Sequence, residues 1–173
     1  GTVSPNQIID IRLASGTDAV DYDFCEIPPV ELCGWVYADL NNNGAKDPGE
    51  LGIAGVTLAL LDSAGNPTGT TTITATNGHY CFVNLPPGTY GVSELQPRGY
   101  FDGRDTAGSA GGIAQNPGDR IIEVVLTGGM HGENYNFGEL PPAQLSGYVF
   151  QDGPAIVTES AGDTPNVPAL RDG

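Results

Sequence analysis

Residues 39–50 read Asp39-Leu40-Asn41-Asn42-Asn43-Gly44-Ala45-Lys46-Asp47-Pro48-Gly49-Glu50. Oxygen-bearing side chains stand at Asp39, Asn41, Asn43, Asp47 and Glu50, and Gly44 directly follows the third of them. That is the spacing of an EF-hand calcium loop: alternate residues face inward, a glycine makes the sharp turn, and a closing Glu supplies two oxygens. These five residues are therefore candidate Ca2+ ligands; the alternative is a metal-free surface turn rich in Asn and Gly. The flanks, however, carry no helical period. Leu32 to Ala38 alternates as a strand before the loop, and Val56 to Leu61 forms a second strand after it. Lys46 stands where paired EF-hands place an apolar residue, which suits a solitary loop with a solvated lysine. The loop thus joins strands, and that decides the fold.

Outward from the loop the pattern stays at period two. Thr70 to Thr76 is rich in β-branched residues and ends at Asn77-Gly78, a hairpin signal that predicts Tyr80 to Val83 pairing back. Pro86-Pro87-Gly88 turns the chain into Thr89 to Leu95. Ile121 to Leu126 and Glu133 to Phe137 supply two closing strands, after a glycine-rich, acidic connection from Tyr100 to Asp119. Short strands, frequent turns and no helical period predict an all-β, two-sheet antiparallel β-sandwich. Its core is predicted to hold Leu32, Val36, Val56, Leu58, Tyr80, Phe82, Leu85, Tyr90, Val92, Ile122 and Val124.

The chain has 173 residues, with 6 basic and 21 acidic side chains and a net charge of −15. That balance argues against nucleic acid as a partner, because phosphate contacts need Lys and Arg. It suits a divalent cation and a solvated extracellular surface. The sequence carries no apolar run long enough to span a membrane and no signal-peptide pattern, and it reads as though cut from a longer chain.

The sequence also repeats. Ile8 to Leu13, Tyr22-Asp23-Phe24-Cys25-Glu26, Pro28-Pro29, Leu32 and Gly34-Trp35-Val36-Tyr37 recur, at a fixed offset, as Ile121 to Leu126, Tyr135-Asn136-Phe137-Gly138-Glu139, Pro141-Pro142, Leu145 and Gly147-Tyr148-Val149-Phe150. Asp39 finds its counterpart in Asp152. This predicts a tandem array: residues 1–27 end one module, 28–140 form a complete one, and 141–173 begin a divergent third with no glycine-asparagine loop. The double prolines act as stiff connectors.

The order of motifs resembles a known family. Gly34 to Leu58, Thr76-Asn77-Gly78-His79-Tyr80 through Arg98-Gly99-Tyr100, Asp102-Gly103-Arg104-Asp105-Thr106 and Asn134-Tyr135-Asn136-Phe137-Gly138-Glu139 are similar to SdrD B-like domains. These are the calcium-binding B repeats of serine-aspartate-repeat surface adhesins, related to collagen-adhesin (Cna B-type) domains. The resemblance covers Leu32 to Glu139. It implies a prealbumin-like, immunoglobulin-like sandwich serving as a calcium-stiffened cell-surface spacer. It also implies Ca2+ ligation by Asp39, Asn41, Asn43, Asp47 and Glu50, with Ala45 offering a backbone carbonyl. Cna B-type domains often carry a Lys–Asn isopeptide bond promoted by a buried carboxylate, the position where Glu94 falls. The single lysine, Lys46, lies in the loop, so no such bond is expected within the module.

Further candidates are weaker. Asp102 and Asp105 are secondary Ca2+ ligands that would order the long connection, the alternative being an ordinary solvated loop. Asp62 and Asp119 read as turn residues. His79 and His131 have no ligand or triad spacing and read as surface residues, and no nucleophile–base pattern recurs, so no enzyme is expected. Trp35 faces away from the core, either covering an intermodule contact or shielding its own strand. Cys25, Cys33 and Cys81 are either three free thiols or one disulfide plus a thiol; by position, a Cys25–Cys33 or Cys25–Cys81 bridge would lock the module junction. The reading is a calcium-stabilised structural repeat of an extracellular, cell-surface protein, with calcium and neighbouring repeats of the same chain as partners. The alternatives are homo-assembly by strand addition through unpaired terminal strands, and a ligand-binding adhesin module.

Overall fold

A computed structural model describes residues 2–4 and 6–147. Tyr148, Val149, Phe150 and Asp152, expected to open the third module, lie outside the described residues. Near the start, β1 (Thr2–Ser4) and β2 (Gln7–Ile9) form a small antiparallel pair. Of the expected strand from Ile8 to Leu13, only Ile8 and Ile9 lie in β2.

The sandwich begins with β3 (Val30–Ala38), β4 (Thr57–Leu61), β5 (Pro67–Ile73), β6 (His79–Leu85) and β7 (Gly88–Glu94). It continues through the short β8 (Phe101–Asp102) and β9 (Ile113–Gln115), then β10 (Arg120–Leu126), β11 (His131–Gly132) and β12 (Phe137–Leu140). One sheet runs β5-β4-β7-β10-β9. The other is built on β3, which pairs with β6 on one side and with β11 and β12 on the other, β8 lying beyond β12. Pairings within the sandwich are antiparallel except those of β3 with β11 and β12, which are parallel. Among the described residues, no helix is long and apolar enough to cross a membrane.

Alternation along β3 buries Val30, Leu32, Gly34 and Val36 against the opposite sheet. They meet Leu58 and Leu60 of β4, Val92 of β7 and Ile121, Val124 and Leu126 of β10, with Tyr80, Phe82, Tyr135 and Phe137 filling the same core. Fully burying such a side chain contributes about 1.5–3 kcal/mol, so this cluster is the main favourable term. Leu85 and Tyr90, expected in the core, pack against it partly buried.

Four expectations are corrected. Ile121 rather than Ile122 is the fully buried residue. A bulge explains this: Ile121 pairs with Val92 but Val124 pairs with Tyr90, and Glu123 between them has φ 60°. One extra residue reverses the inward–outward parity of the rest of the strand. Second, Asn77-Gly78 does not join a hairpin. β5 before it pairs with β4, and β6 after it pairs with β3, so the turn carries the chain from one sheet to the other. Third, 133–136 is not a strand. Asn134 takes φ 63°, and Asn136 bridges to Thr106 before β12 begins at Phe137. Fourth, Cys33 faces Cys81 across β3 and β6, and these two form the disulfide, leaving Cys25 free and exposed. Strand register, not the module junction, selects the bridge.

Candidate metal centre

Asp39 directly follows β3 and is fully buried. Its two carboxylate oxygens accept the backbone N–H groups of Gly44 at 2.7 Å and Asn43 at 3.2 Å, curling the chain around the side chain. Gly44 makes the sharp bend with φ 78°, a conformation that costs a glycine little. Asn41 Oδ1 accepts from Asn43 N–H, and Asn43 Oδ1 accepts from Ala45 N–H. Pro48-Gly49, with φ 99° at the glycine, follows the type II turn pattern and brings Glu50 back, its N–H donating to the Asp47 carbonyl. Glu50 then closes the ring: Oε1 accepts Leu40 N–H and Oε2 accepts Asp47 N–H, each at 2.9 Å.

The side chains converge as well. Asp47 Oδ2 receives 2.9 Å bonds from the amides of both Asn41 and Asn43, and those bonds hold its carboxyl below the usual carboxylate range. The donor set is all oxygen. Each Asn Oδ1 has a second lone pair beyond the one given to the backbone, and Asp39 and Glu50 are already oriented. These residues fit a hard cation of the calcium type. Asp39, Asn41, Asn43, Asp47 and Glu50 would hold it, with Ala45 placed by its bond to Asn43. Such an ion would supply positive charge among the three carboxylates.

The loop is fastened on several sides. Asp39 N–H donates to the Glu139 carbonyl of β12 at 2.9 Å, and the Thr106 hydroxyl donates to the Gly44 carbonyl. Ala38 N–H meets the Leu51 carbonyl, and Tyr37 bridges to Gly52. Burial, and then the charge of Asp39, push the Tyr37 phenol well above its ordinary value. Lys46 is not simply solvated: its Nζ donates to the Glu50 carbonyl at 2.9 Å and lies 5.5 Å from the centre of the Trp35 ring. Trp35, which also packs edge-on to His79, thus shields its own strand and loop.

The model of the SdrD B-like domain matches residues 30–124. The chain belongs to the SdrD B-like domain family. Among full-length relatives, serine-aspartate repeat-containing protein F of Staphylococcus epidermidis is 33% identical over 128 residues, 73% of this chain and 8% of that protein. Serine-aspartate repeat-containing protein D of Staphylococcus aureus is 34% identical over 149 residues, 85% of this chain and 11% of that protein. The chain therefore spans about a tenth of the length of these relatives. The crystal structure of GBS52, the minor pilin of Streptococcus agalactiae, is a distant likeness: TM-score 0.45 and 14% identity, over 70% of this chain and 49% of that one.

The SdrD B-like module holds Asp102 and Asp105 differently from a solvated loop. Asp102 lies in β8, and its Oδ2 accepts Gly118 N–H at 2.8 Å. Asp105 is buried, its backbone clamped by the Asn116 side chain through bonds of 2.7 and 3.0 Å. Burial, then the charge of Asp102, raise the Asp105 carboxyl to about 8. Neither residue belongs to the loop site; both stand beside Glu94, Asp119 and Glu139, a group that spacing along the chain does not assemble. One signal pointed to it: Glu94 shares the inward parity of Tyr90 and Val92 on β7, an unusual place for a carboxylate.

Proposed function

We propose that this SdrD B-like module is a calcium-stiffened spacer repeat of an extracellular, surface-exposed protein, with a structural and not an enzymatic role. Its partners are calcium and neighbouring repeats of the same chain. The observation that carries this reading is the double role of Asp39. Its carboxylate is the first candidate ligand, and its backbone N–H is bonded to Glu139 on the last strand. A cation that fixes the carboxylate also fixes the joint between the first and last strands. Binding the folded form alone stabilises it by mass action, with a gain that grows with ion concentration. The names of the relatives, serine-aspartate repeat-containing proteins, support the assignment to a repeat protein.

Thermal melting in CaCl2 and in excess chelator tests the reading. The midpoint is expected to rise with calcium, and D47N/E50Q is expected to lose most of that rise. A wild-type midpoint indifferent to chelator would remove calcium from the mechanism.

A further inference from the structure

The outer face of the β3 sheet carries a separate group of metal-ligating side chains. Leu32 and Gly34 are buried in the core, so Glu31 and Cys33, two apart on β3, point away from it. Cys81 stands opposite Cys33 on β6, and His131 stands opposite Glu31 on β11. Three neighbouring strands thus set four such side chains on one patch. A carboxylate oxygen of Glu31 and the sulfurs of Cys33 and Cys81 all lie within 4.8 Å of one another. His131 Nδ1 is 2.9 Å from Glu31 Oε2, and their side chains, 67% and 37% exposed, are open to solvent.

Cys33 and Cys81 are bonded to each other, and a bonded sulfur is not a thiolate ligand. Reduction changes that. Two molecules of a small thiol reductant lose their hydrogens and join as a disulfide, while Cys33 and Cys81 each gain one and part as thiols. The β3–β6 ladder runs through the residues on either side, Leu32 with Phe82 and Gly34 with Tyr80. It keeps the two sulfurs on the same patch, with Glu31 beside them.

Two thiolates and a carboxylate make a donor set for zinc. The sulfurs are too soft for calcium or magnesium, and tetrahedral sulfur, nitrogen and oxygen ligation is zinc's ordinary geometry. Zn–S bonds of about 2.3 Å and Zn–O bonds of about 2.0–2.2 Å put no two ligand atoms more than about 4.6 Å apart. The three donors therefore need only side-chain rotation to meet one ion. His131 gives the Glu31 carboxylate the hydrogen-bond partner that holds a ligating carboxylate in place. His79 shares this face of the sheet but packs edge-on to Trp35. A net charge of −15 draws cations toward the surface.

We propose that the reduced module binds one zinc ion through Cys33, Cys81 and Glu31, with His131 positioning the Glu31 carboxylate, and that formation of the Cys33–Cys81 disulfide closes this site. Zinc displaces the two thiol protons as the thiolates bind, and water takes the fourth position. Disulfide and zinc are then alternative cross-links between β3 and β6, one for oxidising and one for reducing conditions.

The test uses C25S, whose two remaining cysteines are those of the site, reduced with a phosphine that is then removed without air. Cobalt(II) is the probe, because cobalt–thiolate bonds give a charge-transfer absorption that oxygen ligands, those of the 39–50 loop included, do not. Reduced C25S is expected to show that band at one cobalt per chain and to lose it to one equivalent of zinc. The unreduced protein is expected to show none. E31Q and H131A, each in the C25S background, are expected to weaken zinc binding at least about tenfold. No band in reduced C25S would overturn the site. If reduction unfolds the module, the two cysteines bind metal as an unstructured pair, indifferent to Glu31, so an affinity unchanged in E31Q would overturn it too. An affinity lowered in E31Q but unchanged in H131A would uphold the three ligands and remove the role given to His131.

Discussion

The phenol of Tyr80 donates a 2.7 Å hydrogen bond to the backbone carbonyl of Tyr135, 55 residues away, with both residues in the core. It links β6 to the segment between β11 and β12, where Tyr135 N–H also donates to the Cys33 carbonyl of β3 at 3.2 Å. Tyr80→Phe keeps the ring and leaves that carbonyl without its donor. The expected loss is about 1–3 kcal/mol, read from the urea midpoint at unchanged slope.

Gly34 faces the same carbonyl. A Cβ built on Gly34 would stand 1.8 Å from the Tyr135 oxygen and 2.9 Å from the Tyr80 hydroxyl. Backbone on one side and a buried ring on the other leave no room to give. Gly34→Ala is therefore expected to cost at least about 3 kcal/mol, the upper range for overpacking, and to lower the melting midpoint far more than Tyr80→Phe.

The acidic cluster makes stability depend on pH in a direction opposite to most carboxylates. Asp105 is raised from 3.8 to about 8, so between those values the folded state holds a proton that the unfolded chain has lost. The contribution is complete below the unfolded value and disappears as pH rises through the folded one. Burial raises Glu94 and Glu139 in the same sense. In chelator, the melting midpoint is expected to fall from pH 5 toward about pH 8. Asp105→Asn should flatten that fall, and a midpoint rising over the interval would contradict it.

Cys33 and Cys81 close a loop with a sequence separation of 48 residues. Unreduced, denatured protein should titrate as one thiol, that of Cys25; after reduction it should titrate as three. Reduction is expected to cost about 2–5 kcal/mol, visible as a lower urea midpoint.

Local order was legible in the sequence and distant pairing was not. The turn of the loop could be read because its candidate ligands, Asp39 to Glu50, lie in one short stretch of chain, where spacing alone dictates which side chains face inward. The sandwich could be read because β3 alternates from Val30 to Val36 and β4 from Thr57 to Leu60. The bulge at Glu123 was hidden, since Ile121, Ile122, Val124 and Val125 satisfy either parity by composition. The sheet crossing at Asn77-Gly78 was hidden for a related reason: a turn signal reports that the chain reverses, not which strand it will pair with. The acidic cluster was the hardest. Glu94, Asp119 and Glu139 are scattered along the chain, and only the packing of two sheets brings them within 4.8 Å.

The parallel pairing of β12 with β3, Phe137 against Val36 and Glu139 against Ala38, sets how the module would answer a pull along the chain. Because the two strands run the same way, the chain enters at one end and leaves at the other. A pull on Val30 and Leu140 along the chain slides β12 lengthwise against β3. Every hydrogen bond between them is then strained together, where an antiparallel hairpin pulled at its open end would surrender its bonds one at a time. The Asp39 to Glu139 bond lies in that seam. A tether built on this arrangement resists being drawn out as a single unit and yields abruptly.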